Sequence, residues 1–382
     1  MMRRALLAVV ALLAALAAPV QASSDDSTRT SPPPRIGAAA WYLLGEDGAV
    51  LAERNARQRR SIASITKLMT AIVTLEHAQL SDDVSVSPRA SGVGESTVYL
   101  RTGERLSVAD LLRATLIRSA NDAAQALAFH VGRGSPSRFV GLMNEKAREL
   151  GLDDTTFANS HGLDAPGHLS SARDATLLVR YALGVPFIRD ALDRSSVSLP
   201  GGRTYPTTDD LLESWSPLVG GKTGHTLNAG WSEAAAARAG GATVYGTVLG
   251  SDSRAGRNDA LRTLLGYGLA RYRRVMAIDG TRVYAEAETG YGRPQVELVA
   301  PRTVVRTLRE GSSLVERVVV PTSVALPVRK GQRLGRVEVY AGSRLLASSN
   351  LVAASDVSEP GLLGKAAWYA QETATELWEL VS

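Results

Sequence analysis

The chain has 382 residues, a formal charge of +5 and no cysteine, which excludes disulfides, thiolate metal sites and cysteine nucleophiles. Its length exceeds a comfortable single core, so two domains are expected. The basic residues are dispersed with no aromatic platform between them, which argues against nucleic acid as a partner.

Taken in chain order, Met1-Met2-Arg3-Arg4 followed by the apolar run Ala5–Ala18 and by Val20-Gln21-Ala22 has the layout of a secretory signal. Residues 1–22 are therefore expected to be a signal peptide and residues 23–35, rich in Ser, Asp, Thr and Pro, a disordered tether. Ala38–Leu44 and Ala49–Glu53 flank Glu46-Asp47-Gly48 as a hairpin would. Ile62–Ala78 carries no Gly or Pro and repeats apolar residues at helical spacing, predicting a buried helix with Ser64 in its first turn. Two helical stretches follow within Leu106–His130, broken near Arg118-Ser119-Ala120-Asn121. A further helix over Pro136–Leu150 is stopped by Gly151. Ala242–Leu249 alternates as a strand, and Asn258–Tyr272 returns to helical spacing. Residues 36–272 thus read as an α+β domain. Beyond it the chain turns β-branched, short in period and broken by Gly and Pro, so residues 273–359 read as an all-β module. Residues 360–382 form an amphipathic segment, with Leu363, Ala367, Ala370, Ala374 and Trp378 on one face.

Positive charge here is almost entirely arginine: thirty-eight arginines against five lysines. Arginine stays protonated, whereas a buried lysine can lose its proton and accept one from a hydroxyl. Two of the five lysines stand in chemically suggestive places. Lys67 closes Ser64-Ile65-Thr66-Lys67, where i and i+3 share a helix face and the amine can reach the hydroxyl. A serine at a helix start also offers a free backbone N–H and a dipole favouring an oxyanion. Lys222 opens Lys222-Thr223-Gly224, a glycine-flanked extended segment that a substrate backbone can approach closely. Ser119-Ala120-Asn121 adds a hydroxyl and an amide. Each motif alone also has a plain structural meaning: an N-cap serine with a surface lysine, an edge strand, an Asx cap.

Together, in this order and spacing, the three motifs resemble those of penicillin-binding proteins and class A β-lactamases. The wording around them, Ala63-Ser64-Ile65-Thr66-Lys67-Leu68-Met69-Thr70, Asn159-Ser160-His161-Gly162-Leu163 and Gly221-Lys222-Thr223-Gly224-His225-Thr226, resembles the low-molecular-weight penicillin-binding proteins, the D-alanyl-D-alanine carboxypeptidases of serine peptidase family S11. The resemblance implies an antiparallel sheet with helices, a β-lactamase/transpeptidase-like domain, then a small all-β domain and a terminal helix lying on a membrane. It implies an enzyme of the cell envelope acting on peptidoglycan stem peptides ending in D-Ala-D-Ala, acylated by β-lactams, with no cofactor or metal. By the same resemblance Ser64 would be the nucleophile, Lys67 its base, and Ser119 a bridge from hydroxyl to amine that passes a proton to the leaving group. Asn121 would bind the peptide amide and support Lys67. Lys222 would keep the site electropositive, and Thr223 with Arg257 would face the terminal carboxylate. The backbone N–H groups of Ser64 and His225, beside Gly224, would form an oxyanion hole.

Other readings stay open. A β-lactamase would add a carboxylate for deacylation, and no Glu-x-x-x-Asn arrangement stands between the second and third motifs. A D,D-endopeptidase or a non-catalytic wall binder would use the same scaffold. His161 and His168 are expected to be structural, Arg173-Asp174 an internal ion pair, and Asp209-Asp210 part of the cleft lip. In the terminal segment Lys365 is outweighed by Glu372, Glu376 and Glu379, so any membrane contact would rest on apolar burial.

Overall fold

A computed structural model of the chain describes residues 33–379; the expected signal peptide and all but the last residues of the tether lie outside the described residues. The fold separates into one unit ending at Tyr272 and a second beginning at Arg273.

The first unit is built on a five-stranded sheet, antiparallel throughout. In spatial order its strands are Val50–Arg54, Ala40–Gly45, Ala242–Ser251, Gly230–Ala239 and Leu218–Thr226. Alternation along each strand divides the side chains between two cores, as a pleated strand requires. From Ala40–Gly45, Ala40, Tyr42 and Leu44 enter the larger core, while Trp41 and Leu43 enter the smaller one. Gly230–Ala239 is a strand the periodicity did not announce. Its run Ala234–Ala237 has helix-forming composition, yet it pairs on both edges, with Leu218–Thr226 and Ala242–Ser251. Tertiary pairing overrides propensity here, and small side chains let helices approach both faces. Leu261, Leu264 and Leu265 of the helix Arg254–Leu269 cover one face; Ala175, Leu178, Val179 and Ala182 of Ala172–Gly184 cover the other. The first of these helices starts four residues before its expected beginning because Ser253 Oγ accepts from Gly256 N at 3.0 Å as an N-cap.

The helix Lys67–His77 runs through the larger core, packed by Val108–Ile117, Asn121–Val131 and Pro136–Glu149. Ser64 is not in its first α-turn. It belongs to a preceding 3₁₀ turn, Ala63–Thr66, because Ala63 has a left-handed φ of 47° that no α-helix continues through.

The second unit contains a six-stranded sheet in which Leu314–Val319, Arg333–Ala341, Arg344–Ala353, Val296–Val299 and Val283–Thr289 are antiparallel neighbours and the short Ser323–Val324 adds in parallel. Val296, Leu298, Val337 and Leu351 fill its core. The helix Leu362–Glu379 follows. Trp368 and Tyr369 set their rings against Tyr291 at 5.5 and 6.0 Å, while Leu362 and Leu363 stand exposed. Among the described residues no helix is long and apolar enough to cross a membrane.

Phe139 of Pro136–Glu149 is wholly buried in the core that carries Lys67–His77. Phe139→Ala is expected to cost about 3–5 kcal/mol in urea unfolding of the first unit; a loss below about 1 kcal/mol would show that the helix does not brace this core.

Candidate active site

Lys67 is fully buried, and its Nζ has three neighbours: Ser64 Oγ at 2.6 Å, Asn121 Oδ1 at 2.7 Å and the His161 carbonyl at 2.7 Å. Asn121 is oriented by its Nδ2, which donates to the Gly94 carbonyl at 2.9 Å, so the oxygen must face the lysine. Burial, then the charge of Lys222, drives the Lys67 amine well below its ordinary proton affinity; Glu95 and Asp122 oppose that more weakly. A neutral amine has two N–H donors and one lone pair. Two of its three neighbours are carbonyl-type oxygens that can only accept. The third, Ser64, is a hydroxyl that can donate.

Lys222 is 1% exposed and donates to Ser119 Oγ at 3.0 Å and to the Thr223 carbonyl at 3.1 Å. Burial pulls it down to about 7, against the upward pull of Asp209 and Glu233. Ser119 therefore stands against the second lysine. Among the described residues it makes no hydrogen bond to Ser64 or Lys67, unlike the bridge the resemblance implies. Its φ of 64° is left-handed, placing the hydroxyl between the helices Val108–Ile117 and Asn121–Val131.

The strand Leu218–Thr226 crosses directly beside the serine turn. A Cβ at Gly224 would lie 2.7 Å from the Ile62 carbonyl and 3.1 Å from Ser64 N, so only glycine permits this approach. Gly162 does the same from the opposite side: with φ 88°, a Cβ there would fall 2.0 Å from the Ala63 carbonyl. The result is a cleft of about 450 Å³ whose walls include Ser64, Ser119, Thr223, Gly224, His225 and Arg257. Thr208 Oγ1 lies 2.8 Å from Thr223 Oγ1, a neighbour sequence reasoning missed. The His225 ring stacks on Trp231 at 4.1 Å. Lys67, Lys222 and Asn121 lie beneath the cleft and do not line it. Asn121, 2% exposed, is therefore directed at Lys67 and Gly94 where substrate contact was expected.

The histidines are structural in their contacts. Ala158 N donates to His168 Nδ1 at 3.0 Å, which leaves Nε2–H to donate to Thr66 Oγ1 at 2.8 Å. Burial lowers His161 to about 3 and His168 to about 4. Among the described residues no group of acidic, histidine or cysteine side chains could hold a metal ion. The ion pair Arg173–Asp174 is present at 2.9 Å.

Comparison with known proteins follows the same division. A family model described as D-alanyl-D-alanine carboxypeptidase matches residues 26–253, and one described as the C-terminal domain of penicillin-binding protein 5 matches residues 276–359. D-alanyl-D-alanine carboxypeptidase DacC of Escherichia coli K12 is 32% identical over 357 residues, covering 86% of each chain. The crystal structure of penicillin-binding protein 6B from Escherichia coli superposes with a TM-score of 0.63 at 30% identity, over 85% of this chain and 98% of that one. The Streptomyces K15 DD-transpeptidase gives 0.59 at 32% identity, over 62% of this chain and 98% of its own.

Behind the lysine strand lies a feature that the motifs did not signal, although a lone glutamate in the Ala-rich strand Gly230–Ala239 was the clue available. Glu233, fully buried, sits 3.0 Å from Arg257 Nε, and its carboxyl faces that of Asp209. Asp209, expected at the lip, is 5% exposed and uses Oδ1 to cap Leu211 N at 3.0 Å; Asp210 instead pairs with Arg254 and Arg257. Both Glu233 oxygens and Asp209 Oδ2 lack a well-aligned donor; a proton held between the two acids would satisfy one oxygen of each and leave the other Glu233 oxygen to the charge of Arg257. Burial and then Asp209 raise Glu233 well above the ordinary glutamate range. The folded protein thus keeps a proton that the unfolded chain releases, and stability falls as pH rises above the ordinary glutamate value. Glu233→Gln, whose amide can donate to Asp209, should gain on the wild type between pH 4 and 7 by up to about 1.4 kcal/mol per pH unit in urea unfolding. Parallel curves would mean that Glu233 is ionised in the fold.

Proposed function

The chain belongs to the D-alanyl-D-alanine carboxypeptidase family, and from that premise we propose that Ser64 is its nucleophile and neutral Lys67 the base that activates it. The protein is a serine-type hydrolase of the penicillin-binding class that removes the terminal D-alanine of peptidoglycan stem peptides. The observation that carries the residue assignment is the hydrogen-bond inventory of Lys67. With Asn121 Oδ1 and the His161 carbonyl each taking an N–H, the lone pair is left for the Ser64 hydroxyl.

In this reading Ser64 Oγ attacks the carbonyl carbon between the last two D-alanines while its proton passes to Lys67 Nζ. The developing oxyanion is met by the N–H groups of Ser64 and His225, which the close passage of Gly224 supports. As the C–N bond breaks, Ser119 gives its proton to the leaving amine and takes one from Lys222, which already donates to it, while Lys67 keeps the proton from Ser64. Thr223 and Arg257 take the terminal carboxylate, and among the described residues Arg257 Nη1 has no protein partner. Water then cleaves the ester, its proton passing through Ser119 to restore Lys222, and Lys67 returns its proton to Ser64 Oγ. β-Lactams, as mimics of the same dipeptide, acylate Ser64.

Residues 36–272 carry this chemistry and residues 273–359 the β module. An exported, envelope-located protein fits such a substrate. We assign the segment 360–382 to a membrane surface, supported by Leu362 at 87% and Leu363 at 89% exposure beside the aromatic Trp368 and Tyr369.

Intact mass after incubation with benzylpenicillin should show one penicilloyl adduct in the wild type and none in Ser64→Ala. Lys67→Arg, which keeps charge but cannot shed it, should lower D-alanine release by about 10²–10⁴-fold; equal labelling or undiminished turnover would place the chemistry elsewhere. In flotation with liposomes, the full chain should rise with the vesicles and the chain lacking 360–382 should not. Identical behaviour would remove the anchor.

A further inference from the structure

The mouth of the cleft holds two charges that the chemistry above does not use. Three arginines line it, and two are spoken for: Arg254 pairs with Asp210, and Arg257 with Glu233 and Asp210. Arg118 makes no ion pair among the described residues, and its Nε is buried with no acceptor. Glu95 also lines the cleft, exposed and without an ion pair or side-chain hydrogen bond among the described residues. The two do not neutralise each other.

Both are held in place by backbone. Glu95 has a left-handed φ of 66°, a conformation a glutamate adopts only where its surroundings impose it. Its neighbour Ser96 donates through Oγ to the Arg118 carbonyl at 3.0 Å and accepts from Asn121 N at 2.7 Å. The buried Asp122 carboxylate takes the N–H groups of Val98 and Leu100, fastening the rest of the loop. The segment bearing the carboxylate is thus stitched to the one bearing the guanidinium. A preorganised cation and anion facing one cleft, each lacking a partner, suit a ligand with both signs at one end.

We propose that Glu95 and Arg118 select stem peptides whose third residue ends in a zwitterion, an ammonium and a carboxylate on one carbon, as in meso-diaminopimelate. Arg118 receives the carboxylate and Glu95 the ammonium. This rests on the carboxypeptidase reading and names the substrate class for it. Glu95 also favours the protonated form of Lys67 across the cleft. A ligand ammonium on Glu95 would relieve that pull and leave the base free, so the matched substrate gains in turnover as well as in binding.

The test uses the full chain and four synthetic pentapeptides of the form L-Ala-γ-D-Glu-X-D-Ala-D-Ala. X is meso-diaminopimelate, its side-chain carboxamide, L-lysine or Nε-acetyl-L-lysine, and kcat/KM for D-alanine release is measured for each. The wild type should prefer diaminopimelate over its carboxamide by about tenfold or more, and lysine over acetyl-lysine by several-fold, as single charge-assisted contacts allow. Arg118→Gln should abolish the first ratio and retain the second; Glu95→Gln should do the reverse. A wild type that treats all four within about threefold overturns the proposal without any variant, as does an Arg118→Gln enzyme that keeps the diaminopimelate preference. Release from none of the four, with no penicilloyl adduct, would instead overturn the carboxypeptidase reading and this proposal with it.

Discussion

Two lysine side chains, both essentially without solvent, share one site, and among the described residues neither has a carboxylate within ion-pair distance. An ammonium taken out of water without a counter-ion costs several kcal/mol even after relaxation. For Lys67, losing the proton is the less costly course. The rest of the site is arranged around that constraint. Acceptors without donors of their own, Asn121 Oδ1 and the His161 carbonyl, hold the Lys67 N–H groups, and among the described residues the one hydroxyl bonded to it is Ser64. Arginine could not replace Lys67, because its guanidinium keeps its charge under these conditions.

The two amines do not behave alike. Lys222 lies near Asp209 and Glu233, which pull its proton affinity back up, to about 7; Lys67 is lowered further by Lys222 itself, with Glu95 and Asp122 opposing less. Environments that push paired groups apart divide labour between them. Lys222 is suited to supply field and Lys67 to take a proton. The acid pair behind the strand completes the balance. Sharing one proton, Asp209 and Glu233 carry a single negative charge opposite Arg257, so the buried layer is close to neutral before substrate enters. Were both acids ionised, the surplus charge would oppose an incoming carboxylate.

Much of this was legible from residues alone. The helix from Lys67 and the strand from Ala242 were readable from apolar runs free of Gly and Pro breaks at their starts, and both prove buried on nearly every side. Residues of all three motifs line one cleft, as the resemblance implied. What escaped notice depended on partners remote in sequence. Ala234–Ala237 carries helical composition and becomes a central strand only because two neighbours pair with it. Asp209 reads as a lip residue until Glu233, twenty-four positions on, is seen to face it. Ser119 was expected against Ser64 and Lys67 and lies against Lys222, since its contact depends on how two helices meet the sheet.

Two residues that line the cleft, Glu95 and Ser119, and Ala63 just before Ser64 have left-handed backbones, and none is glycine. Such conformations cost about 1–3 kcal/mol each and persist only where packing leaves no alternative. Here the packing can be named. Gly162 presses on the Ala63 carbonyl, Ser96 ties Glu95 to Arg118, and Lys222 holds the Ser119 hydroxyl. Each strained residue presents a side chain, or the residue beside it, to the same cavity: Ser64 after Ala63, the Glu95 carboxylate, the Ser119 hydroxyl. Relaxing any one into an ordinary helical turn would carry that group away from the cleft. The strain is thus borne by the larger core beneath, and a glycine at these positions would relieve it only by freeing the backbone that aims the groups. That is why the site needs a fold with helices on both faces of its sheet.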